Sequence, residues 1–292
     1  MKQALLNNAT PFLAPAIKAS LKKFYRSEKQ ITPLENARSV LVFAPHIDDE
    51  TIGLGGTIRK YASNGAEVHI AVITDGNKSN TSGSANQSLA EIRKNELVSI
   101  QDLLGFSSII YMEYQDSAMA QVESSDPFKK LIDEIRPDVI YTPSLIDAHP
   151  DHVFSSHLVA AALKNSVHQP SLIREYEINC PVPPEEINCI IDITAEFEVK
   201  KQATKAFKSQ VIAFDGFLAL ASIKASLVSD ARVKYVETFV ENAPAAFIEA
   251  AENLKKQDRN YQNHFKQANR TITLWWAIFK NINFKKALYQ SR

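Results

Sequence analysis

Apolar and polar positions along this chain keep switching between two periods. Short β-branched runs of strand length occur at Ser39–Ala44 (SVLVFA), Glu67–Thr74 (EVHIAVIT), 108–112 and 138–142, with two more at 173–179 and 189–193. Between them, apolar positions recur at helical spacing over 51–63, 89–104, 127–135 and Pro150–Asn165, and again over 196–208 and 217–228. Asn64-Gly65 and Gly105 stop two of these helices, and Pro150 opens a third where a missing N–H costs nothing. The polar stretch 75–88 (DGNKSNTSGSANQS) reads as a loop. Strands alternating with helices predict βαβ units and an α/β fold with a mostly parallel sheet.

Three regions follow from this pattern: a basic N-terminal arm and connector over 1–37, an α/β body over 38–240 and a helical, basic extension over 241–292. In an open parallel sheet, ligands sit beyond the carboxyl ends of the strands. The segments 45–50, 75–88, 113–118 and 143–152 should therefore emerge on one edge.

The 292 residues are 45% apolar and 23% charged, an ordinary globular balance with enough chain to bury a large core. No apolar run approaches the ~18 residues of a membrane span. Asn7, Asn8, Pro11 and Pro15 interrupt any secretory apolar core, so a cytoplasmic protein is expected. Cys180 and Cys189 are too few for a disulfide framework and read as buried thiols. The zero net charge hides a pattern: residues 1–27 carry +5, residues 259–292 carry +7, and the body between them carries −12. Basic ends suit an anionic surface, such as the inner face of a membrane, and solvated tails would look the same. The run 274–279 (LWWAIF) sharpens the first reading. At helical spacing Trp275, Ile278, Phe279, Ile282 and Tyr289 share a face, with Lys280, Lys285 and Lys286 beside it.

The chemistry concentrates after two strands. After the first comes Ala44-Pro45-His46-Ile47-Asp48-Asp49-Glu50, and after the fourth comes Asp147-Ala148-His149-Pro150-Asp151-His152. Imidazoles and carboxylates at an open site suit Zn²⁺, which in catalytic sites takes three protein ligands and a water. Either cluster alone is also good helix-capping chemistry. Their joint placement on one sheet edge points to a metal.

These residues resemble the signature of the PIG-L/LmbE family of N-acetylglucosaminyl deacetylases, an AHPDDE-type motif followed by an HPDH-type motif. Here isoleucine stands at 47, where the family usually has proline, and His149-Pro150-Asp151-His152 is intact. Gly53, Gly55 and Gly56, Thr74-Asp75-Gly76, Arg93 with Glu96, and Lys200, Ala203 and Ser209-Gln210 add weaker matches. The resemblance implies a Rossmann-like three-layer fold and a Zn²⁺ ion held by His46, Asp49 and His152. It implies Asp48 as general base and His149 as the group that stabilises the oxyanion or protonates the leaving amine. Asp151 is expected to orient His149, and Arg93 and Asp116 to bind sugar hydroxyls or a phosphate.

The implied activity is removal of the N-acetyl group from an N-acetylglucosamine-type sugar, on a lipid-linked or other glycoconjugate. Thiol-conjugate amidase, glycopeptide deacylase and non-catalytic sugar binding stay open as alternatives. A dinucleotide-binding protein is excluded, because the first turn lacks GxGxxG and its carboxyls would repel a pyrophosphate. No nucleic-acid partner is expected, and the sequence leaves the oligomeric state open.

Overall fold

A computed structural model describes residues 2–76, 88–210, 212–257 and 260–292, so 77–87 of the expected 75–88 loop, and Arg259 of the basic tail, lie outside the described residues. Among the described residues seven strands form one sheet: β1 (Ser39–Ala44), β2 (Glu67–Thr74), β3 (Ser108–Tyr114), β4 (Val139–Pro143), β5 (Leu172–Tyr176), β6 (Cys189–Asp192) and β7 (Val236–Asn242). The helices of the body are α2 (Asp49–Ser63), α3 (Leu89–Ser99), α4 (Gln101–Leu104), α5 (Asp126–Ile135), α6 (Pro150–Asn165), α7 (Phe197–Thr204) and α8 (Asp215–Lys224). The chain begins with α1 (Lys2–Tyr25) and ends with α9 (Pro244–Lys255), α10 (Leu274–Phe279) and α11 (Ile282–Gln290).

The strand order is β3-β2-β1-β4-β5-β7-β6. Strands β1 to β5 are parallel, and β7 runs antiparallel between β5 and β6. The expected α/β fold, a mostly parallel sheet flanked by helices, is the one observed. The order reverses between β1 and β4, and a crevice opens at such a switch point. Val42 pairs with Tyr141, so the two strands finish level and deliver their following segments side by side.

Strand β7 is the element that periodicity missed. Its sequence VETFVEN places Glu237 where a core residue should stand. The reason lies in α2, which is kinked at Leu54 (φ −148°). A kink frees backbone donors that need a partner. Glu237 accepts from the Gly56 N–H at 3.0 Å and the Thr57 N–H at 2.7 Å, and the buried Lys200 ammonium donates to it at 2.6 Å. The expected 89–104 helix also divides, at Ile100, into α3 and α4.

The termini depart from the expected tails. Helix α1 runs through Pro11 and Pro15, and its second half docks on the body, with Leu21 and Tyr25 buried. Tyr25 Oη donates to the Val182 carbonyl at 3.0 Å. In the C-terminal segment Leu274, Ala277, Ile278, Leu288 and Tyr289 are buried, so the expected outward face is split. Lys285 is buried too, donating to the carbonyls of Pro181 (3.2 Å) and Ala277 (3.3 Å). Lys286 pairs with Glu185 and Arg292 with Glu175. Lys285 and Arg292 point inward because each finds an acceptor there that bulk composition does not register. The Phe24 and Phe279 rings lie 4.8 Å apart, so the two ends of the chain pack on each other.

Candidate active site

Beyond Ala44 the chain turns sharply and enters α2 at Asp49. The turn depends on Asp48, whose φ of 114° lies in the left-handed region. A non-glycine residue there costs of order 1–3 kcal/mol and is held only by its surroundings. Glu50 supplies part of the hold, accepting from the Asp48 N–H at 3.1 Å, and the Asp48 carbonyl accepts from the Ile52 N–H at 2.8 Å. The result sets the His46 and Asp49 side chains beside each other. Beyond β4, His149 caps α6, its Nδ1 accepting from the Asp151 N–H at 3.2 Å, and His152 follows in the first turn.

The two segments meet in a triangle of donor atoms. His46 Nδ1 is 3.2 Å from Asp49 Oδ2, Asp49 Oδ2 is 3.2 Å from His152 Nε2, and His152 Nε2 is 3.3 Å from His46 Nδ1. Bonds of ~2.0–2.2 Å in a tetrahedral zinc site put ligand atoms roughly 3.3–3.6 Å apart, so spacing and donor types both fit that ion. His46 also joins two looser groups, one with His149 and His152 and one with Asp116 and Asp151, whose donor atoms lie within 4.8 Å. Around the triangle Asp48, Glu50, Asp116, Asp147 and Asp151 are all buried. A divalent cation would balance that excess of acid.

Each imidazole of the triangle has a carboxylate behind it. Asp151 Oδ2 lies 3.2 Å from His46 Nε2 and accepts from the Ser117 N–H at 2.8 Å. Asp147 Oδ1 lies 3.1 Å from His152 Nδ1, close but off the axis of a well-formed hydrogen bond. Backing of this kind fixes the tautomer, so that His46 Nδ1 and His152 Nε2 present lone pairs to one point. This corrects the expected partner of Asp151: its carboxylate serves His46, while His149 meets only its backbone N–H. The physical reason is the capping turn, which spends His149 Nδ1 on the helix and leaves Asp151 facing β1. Asp147 belongs to the second sequence cluster, yet nothing there set it apart from a capping acid.

Electrostatics separate the carboxyls. Burial, then the neighbouring Asp49 and Glu50, push Asp48 well above the usual carboxylate range. For Asp49 burial opposes ionisation, but His152 and His46 outweigh it and hold the carboxyl below that range. Burial, followed by His152 and His46, pushes His149 down to about 4. His149 is therefore neutral near pH 7, and with Nδ1 accepting, its proton sits on Nε2.

A pocket of about 200 Å³ contains His46, Asp48, Asp49, His149 and His152, and Arg93 and Asp116 line it as well. Asp116 Oδ1 is 3.7 Å from His46 Nε2. Arg93 is buried and donates to the Gly76 carbonyl at 2.5 Å and to Gln210 Oε1 at 3.1 Å. Glu96, one turn away, instead accepts from the Ser209 N–H (2.8 Å) and Oγ (2.7 Å). Helix α3 thus grips Ser209-Gln210, and Gln210 donates onward to the Ile47 carbonyl at 2.9 Å. Gln267 and Asn269, from the C-terminal segment, complete the lining. No spacing or motif marked those two residues in the sequence.

Comparison with known proteins agrees with this geometry. Residues 41–163 match the family model of PIG-L, GlcNAc-PI de-N-acetylase. The chain is 28% identical over 194 residues to the diacetylchitobiose deacetylase of Thermococcus kodakarensis, covering 61% of this chain and 72% of that one. It is 31% identical over 157 residues to the 1D-myo-inositol 2-acetamido-2-deoxy-alpha-D-glucopyranoside deacetylase of Rhodococcus opacus, covering 44% and 53%. The fold resembles that of N,N'-diacetylchitobiose deacetylase from Pyrococcus horikoshii, with a TM-score of 0.62 at 24% identity over 85% of this chain and 94% of that one. Both sequence motifs fall within the segment, residues 41–163, that matches the PIG-L family model.

Proposed function

We propose that this chain is a zinc-dependent hydrolase that removes the N-acetyl group from an N-acetylglucosamine-type sugar. The observation that carries the reading is the triangle of His46 Nδ1, Asp49 Oδ2 and His152 Nε2, with Asp48 beside it in the same pocket. Those three residues would hold the ion. When bound, it would polarise the acetyl carbonyl and acidify a water. Asp48 takes a proton from the attacking water and passes it to the leaving amine. His149 donates from Nε2 to the oxygen on which negative charge develops. Asp151 and Asp147 keep the two ligand imidazoles in the donating tautomer. Arg93 and Asp116 contact sugar hydroxyls. The small pocket favours acetyl over a long acyl chain.

Acetate release decides the reading. The chain, loaded with zinc, should liberate acetate from at least one N-acetylglucosamine conjugate, and chelation should abolish this reversibly. Sugar binding with no acetate release from any conjugate would leave a non-catalytic binder instead.

We also propose that the enzyme works against an anionic membrane surface, where a lipid-linked saccharide would reach it. Trp275 (52% exposed), Trp276 (54%) and Phe12 (84%) lie on the mutually packed terminal helices, with Lys22 and Lys23 exposed on α1 and Arg26 exposed just after it. Aromatic rings and basic side chains together favour the headgroup zone. Contact would be peripheral, since no helix among the described residues is long and apolar enough to cross a membrane. Co-sedimentation with anionic but not neutral vesicles, weakened by salt and lost in the Trp275→Ser/Trp276→Ser double variant, is the expected result. Protein that stays in the supernatant with anionic vesicles at low salt refutes it.

A further inference from the structure

A groove of about 930 Å³ opens beside the pocket and shares His149 and Gln267 with it. A substituent on the sugar that leaves the small pocket past His149 therefore enters this groove. Its far wall comes from the end of α9 and the segment that follows, which bring Lys255 and Lys266, with Phe154 and Phe265 lining it between them. Among the described residues no Asp or Glu lines it, although residues 28–258 carry a net −12.

Several lysines of the molecule are ion-paired. Lys200 pairs with Glu237, Lys224 with Glu177, Lys286 with Glu185, and Lys164 with Glu252. Lys255 and Lys266 pair with no carboxylate among the described residues. Two lysine cations thus line a groove that shares His149 with the pocket and has no Asp or Glu among its described lining residues. Both lie outside the segment 41–163 that the family model matches.

Resting on the deacetylase reading of the pocket, we propose that the groove receives an anionic aglycone. The group attached to the amino sugar carries a phosphate or carboxylate, and Lys255 and Lys266 select it. Long-range attraction to a fixed pair of cations is screened by salt, whereas the metal triangle is shielded by burial. The preference should therefore be salt-sensitive.

The zinc-loaded full chain is assayed for acetate release from N-acetylglucosamine 1-phosphate, the N-acetylglucosaminide of malate and the neutral N,N'-diacetylchitobiose, at low and high salt. The anionic substrates should exceed the neutral one in kcat/KM by at least tenfold at low salt. In Lys255→Gln/Lys266→Gln that ratio should collapse by a similar factor, through KM rather than kcat. Response to one anionic substrate alone separates phosphate from carboxylate recognition. An anionic-to-neutral ratio that is the same in wild type and double variant overturns the proposal while leaving the deacetylase reading intact. Should no substrate release acetate, the deacetylase reading fails, and calorimetric binding of N-acetylglucosamine 1-phosphate then decides the groove. Tenfold weaker binding by the double variant supports it, and equal binding overturns it.

Discussion

The pocket has two walls, and they are built in different ways. On one side stand the level ends of β1 and β4, where each polar group has an assigned neighbour: His46 faces Asp151, His152 faces Asp147, and the Asp48 N–H is taken by Glu50. On the other side Gln267 and Asn269 ride on a segment without regular structure. It is held by the Gly216 N–H on the Asn269 carbonyl (3.1 Å) and the Thr271 N–H on Asp215 (2.9 Å). The strand side can hold atoms to tenths of an ångström because a hydrogen-bonded sheet stands behind it. The C-terminal side can change its residues without disturbing that sheet. Reaction chemistry belongs on the first kind of wall and selectivity on the second.

Five substitutions test that division. His152→Ala should have the largest effect, a loss of metal affinity of at least an order of magnitude and activity at background. Full metal occupancy by elemental analysis would sink the ligand assignment. Asp48→Asn should keep its metal and lose turnover by ~10²–10⁴, because an amide cannot accept the water's proton. Retention of more than a tenth of the wild-type rate removes Asp48 from the role.

Asp151→Asn and Asp147→Asn should each weaken metal binding or activity by ~10–100-fold, the usual effect of losing the group behind a ligand histidine. Competition with a chromophoric chelator measures this. If Asp151→Asn lowers the rate with metal affinity untouched, the carboxylate acts through His149 after all.

Gly216→Ala probes the second wall. A Cβ there would meet the Ala268 carbonyl oxygen at 2.2 Å and the Arg270 nitrogen at 2.5 Å, so the segment has to move away. A stability loss of about 1–3 kcal/mol by urea denaturation is expected, with KM raised and metal content intact. A variant with normal KM would show that Gln267 and Asn269 do not shape the pocket.

The contrast also explains what could be read without coordinates. The strand ends were legible because buried parallel strands announce themselves as unbroken apolar runs, and the residues just after them have only one edge to occupy. Helix α6 is found over the residues its pattern predicts, helped by Pro150 at its first position. Strand β7 was illegible because Glu237 looks like a solvated acid until α2 is found kinked over it. Lys285 was illegible for the same reason: it has the same letter whether it faces a lipid headgroup or the Pro181 carbonyl.

By itself, then, the sequence determined the alternation of strand and helix, the sheet edge where chemistry gathers, and the residue types able to bind a metal there. All of these are local properties of pattern and spacing. Only the tertiary structure decided that Asp151 serves His46 across 105 positions, that Asp147 stands behind His152, and that Gln267 and Asn269 line the pocket. Such pairings join segments with no common period. They depend on which donor a fold leaves without a partner and which side chain is near enough to meet it.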